Sequence, residues 1–253
     1  MEGHSIDAGV GSMLRFVTGQ IVTGAEIGVC RGEVGIGKSF ALSQIEAELE
    51  NDGVRVVRVT VTPAIEANIN AFMRAVLGPH SVETSSGAEA TEAVWSLLAG
   101  NPFLSWGQRV VLIIDEAQGL SIRVLETIRG LWDRGDRARH GDEAAPAFGC
   151  LLVGNNFMMS RSGVQRVASY RPLLDRLAFN LRLPGPSRAE CRSYACTVYP
   201  NLPDYQAELA ELGEVRGTLR SMATAARNAS GLAGGKPVTL AHLRMAIKNM
   251  GGK

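Results

Sequence analysis

Gly32-Glu33-Val34-Gly35-Ile36-Gly37-Lys38-Ser39 is the stretch on which the reading of this chain turns. It follows an apolar run, Glu26 to Arg31, that reads as a strand, and it precedes Phe40 to Glu50, whose apolar residues recur at helical spacing. Strand, glycine loop, helix is the context in which GxxxxGK[ST] binds a phosphate chain. Glycines let backbone N–H groups approach closely because no Cβ intervenes, and the helix N-terminus adds its dipole. Lys38 would then neutralise the β and γ phosphates and the Ser39 hydroxyl would coordinate Mg²⁺. The expected ligand is ATP with Mg²⁺, held by Gly32, Glu33, Val34, Gly35, Ile36, Gly37, Lys38, Ser39 and Phe40.

Working outward, Val54 to Thr62 is rich in β-branched residues and reads as a second strand, ended by Pro63. Ile65 to Leu77 and Glu89 to Ala99 read as helices, with a surface loop at His80 to Gly87. Arg109 to Asp115 is a buried strand that delivers Asp115 and Glu116 at its C-terminal end, where open α/β sheets place their ligands. Asp115 is the candidate for the Mg²⁺ shell and Glu116 for polarising the attacking water. A helical face at Leu120, Val124, Leu125, Ile128, Leu131 and Trp132 follows. Asp133 to Ala145, highly charged, reads as a mobile loop. Phe148 to Val153 is a further strand, and Asn155 just after it is a polar candidate for the γ-phosphate and the lytic water. A short helix around Pro172 to Leu177 leads to a fifth strand, Phe179 to Leu183. Arg176 before that strand, or Arg171, is the candidate arginine finger reaching a neighbouring subunit's ATP. Beyond Pro184-Gly185-Pro186 only helices are expected, with Ser187 and Thr239 as caps. Arg220 among them is a further candidate phosphate contact. The reading is therefore an α/β P-loop domain, residues 1–184, with a parallel sheet covered by helices, and a small helical lid, residues 185–253.

Composition narrows the field without naming a partner. A chain of 253 residues, 45% hydrophobic and 20% charged, can bury a full core, and a formal net charge of +1 gives no general attraction to nucleic acid. The apolar runs are too short for a bilayer span and the N-terminus lacks a leader pattern, so a cytoplasmic protein with no membrane partner is expected. The four cysteines show no metal-ligand spacing and read as buried free thiols.

Together, the P-loop, the Asp-Glu strand, the polar residue ending the next strand, the arginine before the last strand and the helical lid resemble an AAA+ ATPase. Within that superfamily the chain looks most like the DNA-transposition ATPases, the phage Mu B protein and its relatives TnsC and TniB. The resemblance is carried by Val59-Thr-Val-Thr-Pro63, Ile113-Ile-Asp-Glu-Ala117, Leu152-Val-Gly-Asn155, Leu174-Asp-Arg-Leu177 and Gly217-Thr-Leu-Arg220. It implies a homo-oligomer, ring or filament, that binds duplex DNA with little sequence preference and presents target sites to a transposase. Mu B also has an N-terminal helix-turn-helix domain, and the residues before Glu26 are too few for one. DNA contacts are then expected from the ATPase itself, at Arg123, Arg129, Arg134, Arg137, Arg139, Asn68 and Asn70. Two alternatives stay open: a helicase-loading or replication-initiation ATPase, and a nucleotide switch that reports to a protein without touching DNA.

Overall fold

The computed structural model describes residues 9–78, 86–99, 109–139, 148–155 and 171–251, with only the backbone of 136–139. Its sheet has five parallel strands: β1 Ile27–Arg31, β2 Arg55–Thr60, β3 Val110–Asp115, β4 Gly149–Gly154 and β5 Leu177–Arg182. Their order is β2-β3-β4-β1-β5. Strands β3 and β4 lie inside the sheet and are buried at every residue, which is why both read as unbroken apolar runs. Edge strand β5 alternates half-buried with exposed residues instead. All five strands run the same way, so their C-terminal ends, with Asp115 and Gly154, form one rim.

Helices cover both faces of the sheet. On the face of Ile27, Val29, Leu112 and Ile114 pack α3 Ile69–Leu77, α4 Gly87–Leu98 and α5 Ile122–Arg139. Helix α3 buries Phe72, Met73, Val76 and Leu77 and is capped by Asn68, whose side chain accepts from the Ala71 N–H. A reciprocal box between Ser86 and Glu89 starts α4. On the other face lies α1 Val10–Gly24, which the sequence reading missed although Val10, Leu14, Val17 and Ile21 are buried at helical spacing. Its Ile21 sits so close to the sheet that a Cβ at Gly28 would come within 2.5 Å of Ile21 Cδ1. One at Gly149 would lie 2.7 Å from the Ile21 carbonyl oxygen, so glycine in β1 and in β4 is a packing requirement.

Other expectations need correction. The charged segment from Asp133 is not a loop: α5 continues through Arg139, and 140–147 lie outside the described residues. Its charges at 133 and 134 are paired: Asp133 with Arg129 and Arg176, and Arg134 with Glu92 and over the Trp95 ring at 4.5 Å. Helix α3 begins at Ile69 rather than Ile65, because 62–66 form a turn closed by the Ile65 and Glu66 N–H groups on the Thr62 carbonyl. The loop expected at His80 to Gly87 lies outside the described residues as far as residue 85, and Ser86 and Gly87 already cap and open α4. Of the four free thiols, Cys30, Cys150 and Cys191 are buried but Cys196 is exposed. Burial pushes the Cys30 and Cys150 thiols up to about 12, so both stay protonated and inert.

The chain divides into two compact units. One comprises Arg15–Arg31 and Ser43–Arg182, which hold the sheet. The other comprises the described parts of Met1–Leu14, Gly32–Leu42 and Leu183–Lys253. In the second, α6 Arg188–Val198, α7 Pro203–Arg216, α8 Leu219–Ala233 and α9 Leu240–Asn249 close around Cys191, Ala195, Leu209, Met222, Ala225 and Leu243. Gly213 permits the close approach: a Cβ there would meet Met222 Sδ at 2.3 Å. Ser187 and Thr239 cap α6 and α9 as expected, and Thr218 caps α8. Helix α2, Lys38–Asn51, follows the glycine loop and buries Ala41, Leu42 and Ile45.

Candidate functional site

The glycine loop is held from behind. Gly35 and Gly37 have φ of 86° and 108°, a backbone that side chains oppose. Space forbids them as well: a Cβ on Gly35 would lie 2.8 Å from Arg220 Cβ, and one on Gly37 2.7 Å from Leu219 Cδ1. The first turn of α8 therefore presses on the loop, and the Arg220 N–H donates to the Gly35 carbonyl at 3.1 Å. That places Arg220 beside the loop. Lys38 is 6% exposed and its Nζ donates to the carbonyls of Gly32 at 3.0 Å and Glu33 at 2.8 Å, which folds the ammonium under the loop. Glu33, Val34, Ser39 and Phe40 are exposed, and Phe40 meets Tyr194 of α6 edge to face.

Glu190 joins two helix starts within this unit. Its Oε2 accepts from the Ser187 N–H in the α6 capping box, and its Oε1 accepts from the Gly11 N–H at 2.7 Å and the Ser12 N–H at 3.3 Å. Gly9 stands at the N-cap of α1 and has no side chain to offer. Any Cβ at Gly9 would fall 1.9 Å from Glu190 Oε2.

In the sheet unit, Asp115 ends β3 and is 1% exposed. Its Oδ2 accepts from Arg58 Nη2 at 3.1 Å and its Oδ1 from the Glu116 N–H at 3.0 Å. Arg58, on β2, also donates to Ser43 Oγ at 2.8 Å and pairs with Glu46. A buried carboxylate of this kind needs its partners, since isolating the charge is costly. Glu116 is left-handed, with φ 57° and ψ 34°, although it is not glycine. Such residues gather at functional sites, where the surroundings over-determine the conformation. Its carboxylate accepts from Gln118 Nε2 at 2.5 Å, while Gln118 Oε1 accepts from the Asn155 N–H at 3.0 Å. The structure thus links Glu116 and Asn155, both singled out from sequence, through a residue that was not. Neither Gln118 nor Arg58 was foreseen. The signals for them were faint: an arginine among the β-branched residues of β2, and a glutamine three positions past Asp115. As ligands, the Ser39 hydroxyl and the Asp115 carboxylate are hard oxygen donors of the kind Mg²⁺ takes, and the carboxylate has lone pairs beyond those its two partners use.

The remaining candidates divide. Arg176 donates through Nε to Asp133 at 2.5 Å and through Nη1 to the Pro172 carbonyl at 2.6 Å, whereas Arg171 is exposed. Among the proposed DNA contacts, Arg123 is exposed on α5. Arg129 is paired with Glu126 and Asp133, and Arg134 with Glu92. Asn68 serves as the cap of α3, and the side chains of Arg137 and Arg139 lie outside the described residues.

Comparisons with known proteins bear on the fold that carries these residues. The chain resembles the ORC2 protein of Aeropyrum pernix in its ADP form, with a TM-score of 0.60 and 17% identity, covering 94% of this chain and 67% of that one. It likewise resembles Cdc6p of Pyrobaculum aerophilum, with a TM-score of 0.62, 15% identity, and coverage of 94% and 65%. Drosophila ORC bound to DNA gives a TM-score of 0.56 at 15% identity, with coverage of 96% and 60%. At such identities the likeness is one of fold. A search of curated proteins found no match. The family profile described as an AAA domain matches residues 22–155, more than half of the sequence and the whole span from the end of α1 to Asn155. By fold and by this match, the chain belongs to the AAA domain family.

Proposed function

We propose that this chain is an ATP-hydrolysing AAA+ protein that works as an assembly on duplex DNA. The observation that carries the catalytic half is the strained Glu116, held beside Asp115 and tied to Asn155 at the rim of the sheet. In this reading the loop from Gly32 to Phe40 binds ATP, with Lys38 neutralising phosphate charge and Arg220 adding to it from α8. Bound Mg²⁺ supplies charge neutralisation on the phosphates, with Ser39 and Asp115 as its protein ligands. Glu116 orients and polarises the attacking water, and Asn155 reads the γ-phosphate. Arg176, or Arg171, completes the site of a neighbouring subunit. For Arg176 this means leaving Asp133, so assembly and turnover are coupled. Residues 185–253 act as a lid on the nucleotide-binding domain, 1–184.

The DNA half rests on kinship. Resemblance in sequence motifs supports a transposition regulator that serves a transposase, while likeness in fold to ORC and Cdc6 proteins supports the initiation or loading alternative. Both share ATP-dependent binding to duplex DNA through phosphate contacts, for which Arg123 is the exposed candidate on α5. With a net charge of +1, affinity must come from aligning small basic patches of many subunits. Anisotropy titrations should therefore show binding that requires ATP, is insensitive to scrambling the duplex, and falls steeply with salt. Absence of ATP-dependent binding at low salt would leave the nucleotide switch acting on a protein partner.

A further inference from the structure

The side chain between Glu116 and Asn155 is placed by its surroundings. The short 3₁₀ turn Ala117–Gly119 carries Gln118, and its backbone is fixed independently of that side chain. Ala117 is buried, the Gly119 N–H donates to the Glu116 carbonyl at 3.1 Å, and the Ser121 N–H donates to the Glu66 carbonyl at 2.8 Å. A Cβ on Gly119 would already touch Val61 and Glu66 at 3.1 and 3.0 Å. From this anchored turn the carboxamide has one orientation open to it. The Asn155 N–H can only donate, so Oε1 must face it, which turns the Nε2 donor toward the Glu116 carboxylate.

We propose that Gln118 is a positioning residue for hydrolysis: it holds the Glu116 carboxylate in one rotamer and in register with the end of β4. This rests on the reading of Glu116 as the group that polarises the attacking water. A free glutamate has three rotatable bonds, and here the backbone is left-handed, so neither strand nor helix packing directs the side chain. Gln118 supplies that direction. Because its other end is bonded to the backbone of Asn155, a shift of the β4 end on meeting the γ-phosphate is passed to Glu116 through two hydrogen bonds. Gln118 thus couples recognition to catalysis without touching the nucleotide.

Steady-state turnover and direct nucleotide titration of the full chain test this with Gln118→Ala, Glu116→Gln and the double variant. Gln118→Ala should lower kcat roughly 10- to 100-fold, the scale of a misplaced catalytic group, with nucleotide Kd and melting temperature unchanged. Added to Glu116→Gln it should cost nothing more, since Gln118 acts only through that carboxylate. Gln118→Glu, nearly isosteric, keeps the acceptor for Asn155 but sets carboxylate against carboxylate, and should lower kcat at least as far. Wild-type turnover in Gln118→Ala, a full additional loss on top of Glu116→Gln, or a parallel loss of affinity and melting temperature would each overturn the brace. Should Glu116→Gln itself hydrolyse at the wild-type rate, the failure lies with the role of Glu116, and the brace falls with it.

Discussion

The glycine loop at 32–39 and the acidic turn at 115–118 make similar demands on the backbone and meet them differently. In the loop, left-handed conformations fall on Gly35 and Gly37, residues that carry no penalty there. In the turn, the left-handed residue is Glu116, and the conformation is held by its N–H on Asp115, by the Gly119 N–H on its carbonyl, and by Gln118 on its side chain. A demand met by residue type is visible in a sequence. One met by neighbours is visible only in three dimensions.

If that contrast is right, the loop is the more brittle of the two. Gly37→Ala asks for a φ near 108° that alanine rarely adopts and drives a methyl into Leu219, a strain of about 1–3 kcal/mol at a position with no alternative packing. It should abolish detectable nucleotide binding by isothermal titration and lower the melting temperature. Retained affinity would show that the loop is not the binding element.

A smaller effect tests the same idea at the other tertiary cap. Glu190→Ala leaves Ser187 as the cap of α6 but removes the reciprocal acceptor for the Ser187 N–H and the acceptor for the Gly11 and Ser12 N–H groups, so denaturant unfolding should show a loss of about 1–2 kcal/mol. Nucleotide binding should weaken less than in Gly37→Ala. Glu190→Gln, which keeps an acceptor but not the charge, should recover part of the stability. A loss no larger than one ordinary cap, with Gln equal to Ala, would show that α1 does not depend on this carboxylate.

The same distinction explains what was legible. The strands were readable because a parallel sheet buried on both faces writes its inner strands as apolar runs, as at Val110 to Ile114 and Cys150 to Val153. The caps of α6 and α9 were readable because Ser187 and Thr239 act on their own helices. Helix α1 escaped because its N-cap is Gly9 and its capping acceptor, Glu190, lies some 180 residues away in sequence. The second half of α5 escaped because a charged, apolar-poor stretch resembles a loop until Asp133 is seen to join Arg129 and Arg176. At the site, the loop, Asp115 and Glu116 stood out as motif residues. Arg58 and Gln118 did not, since each is defined by the carboxylate it meets across the sheet or the turn rather than by spacing.

The central claim is that the left-handed Glu116 belongs to a hydrolytic site, and one paired measurement tests it most directly: ATP affinity and ATP turnover of Glu116→Gln beside the unaltered chain and Lys38→Ala. In the proposed site Lys38 would stabilise bound phosphate in the ground state, whereas Glu116 would act on the water in the transition state. Glu116→Gln should bind ATP as the unaltered chain does while its turnover falls by about 10²-fold or more, and Lys38→Ala should lose binding itself. Wild-type turnover in Glu116→Gln, or undiminished affinity in Lys38→Ala, would contradict the account.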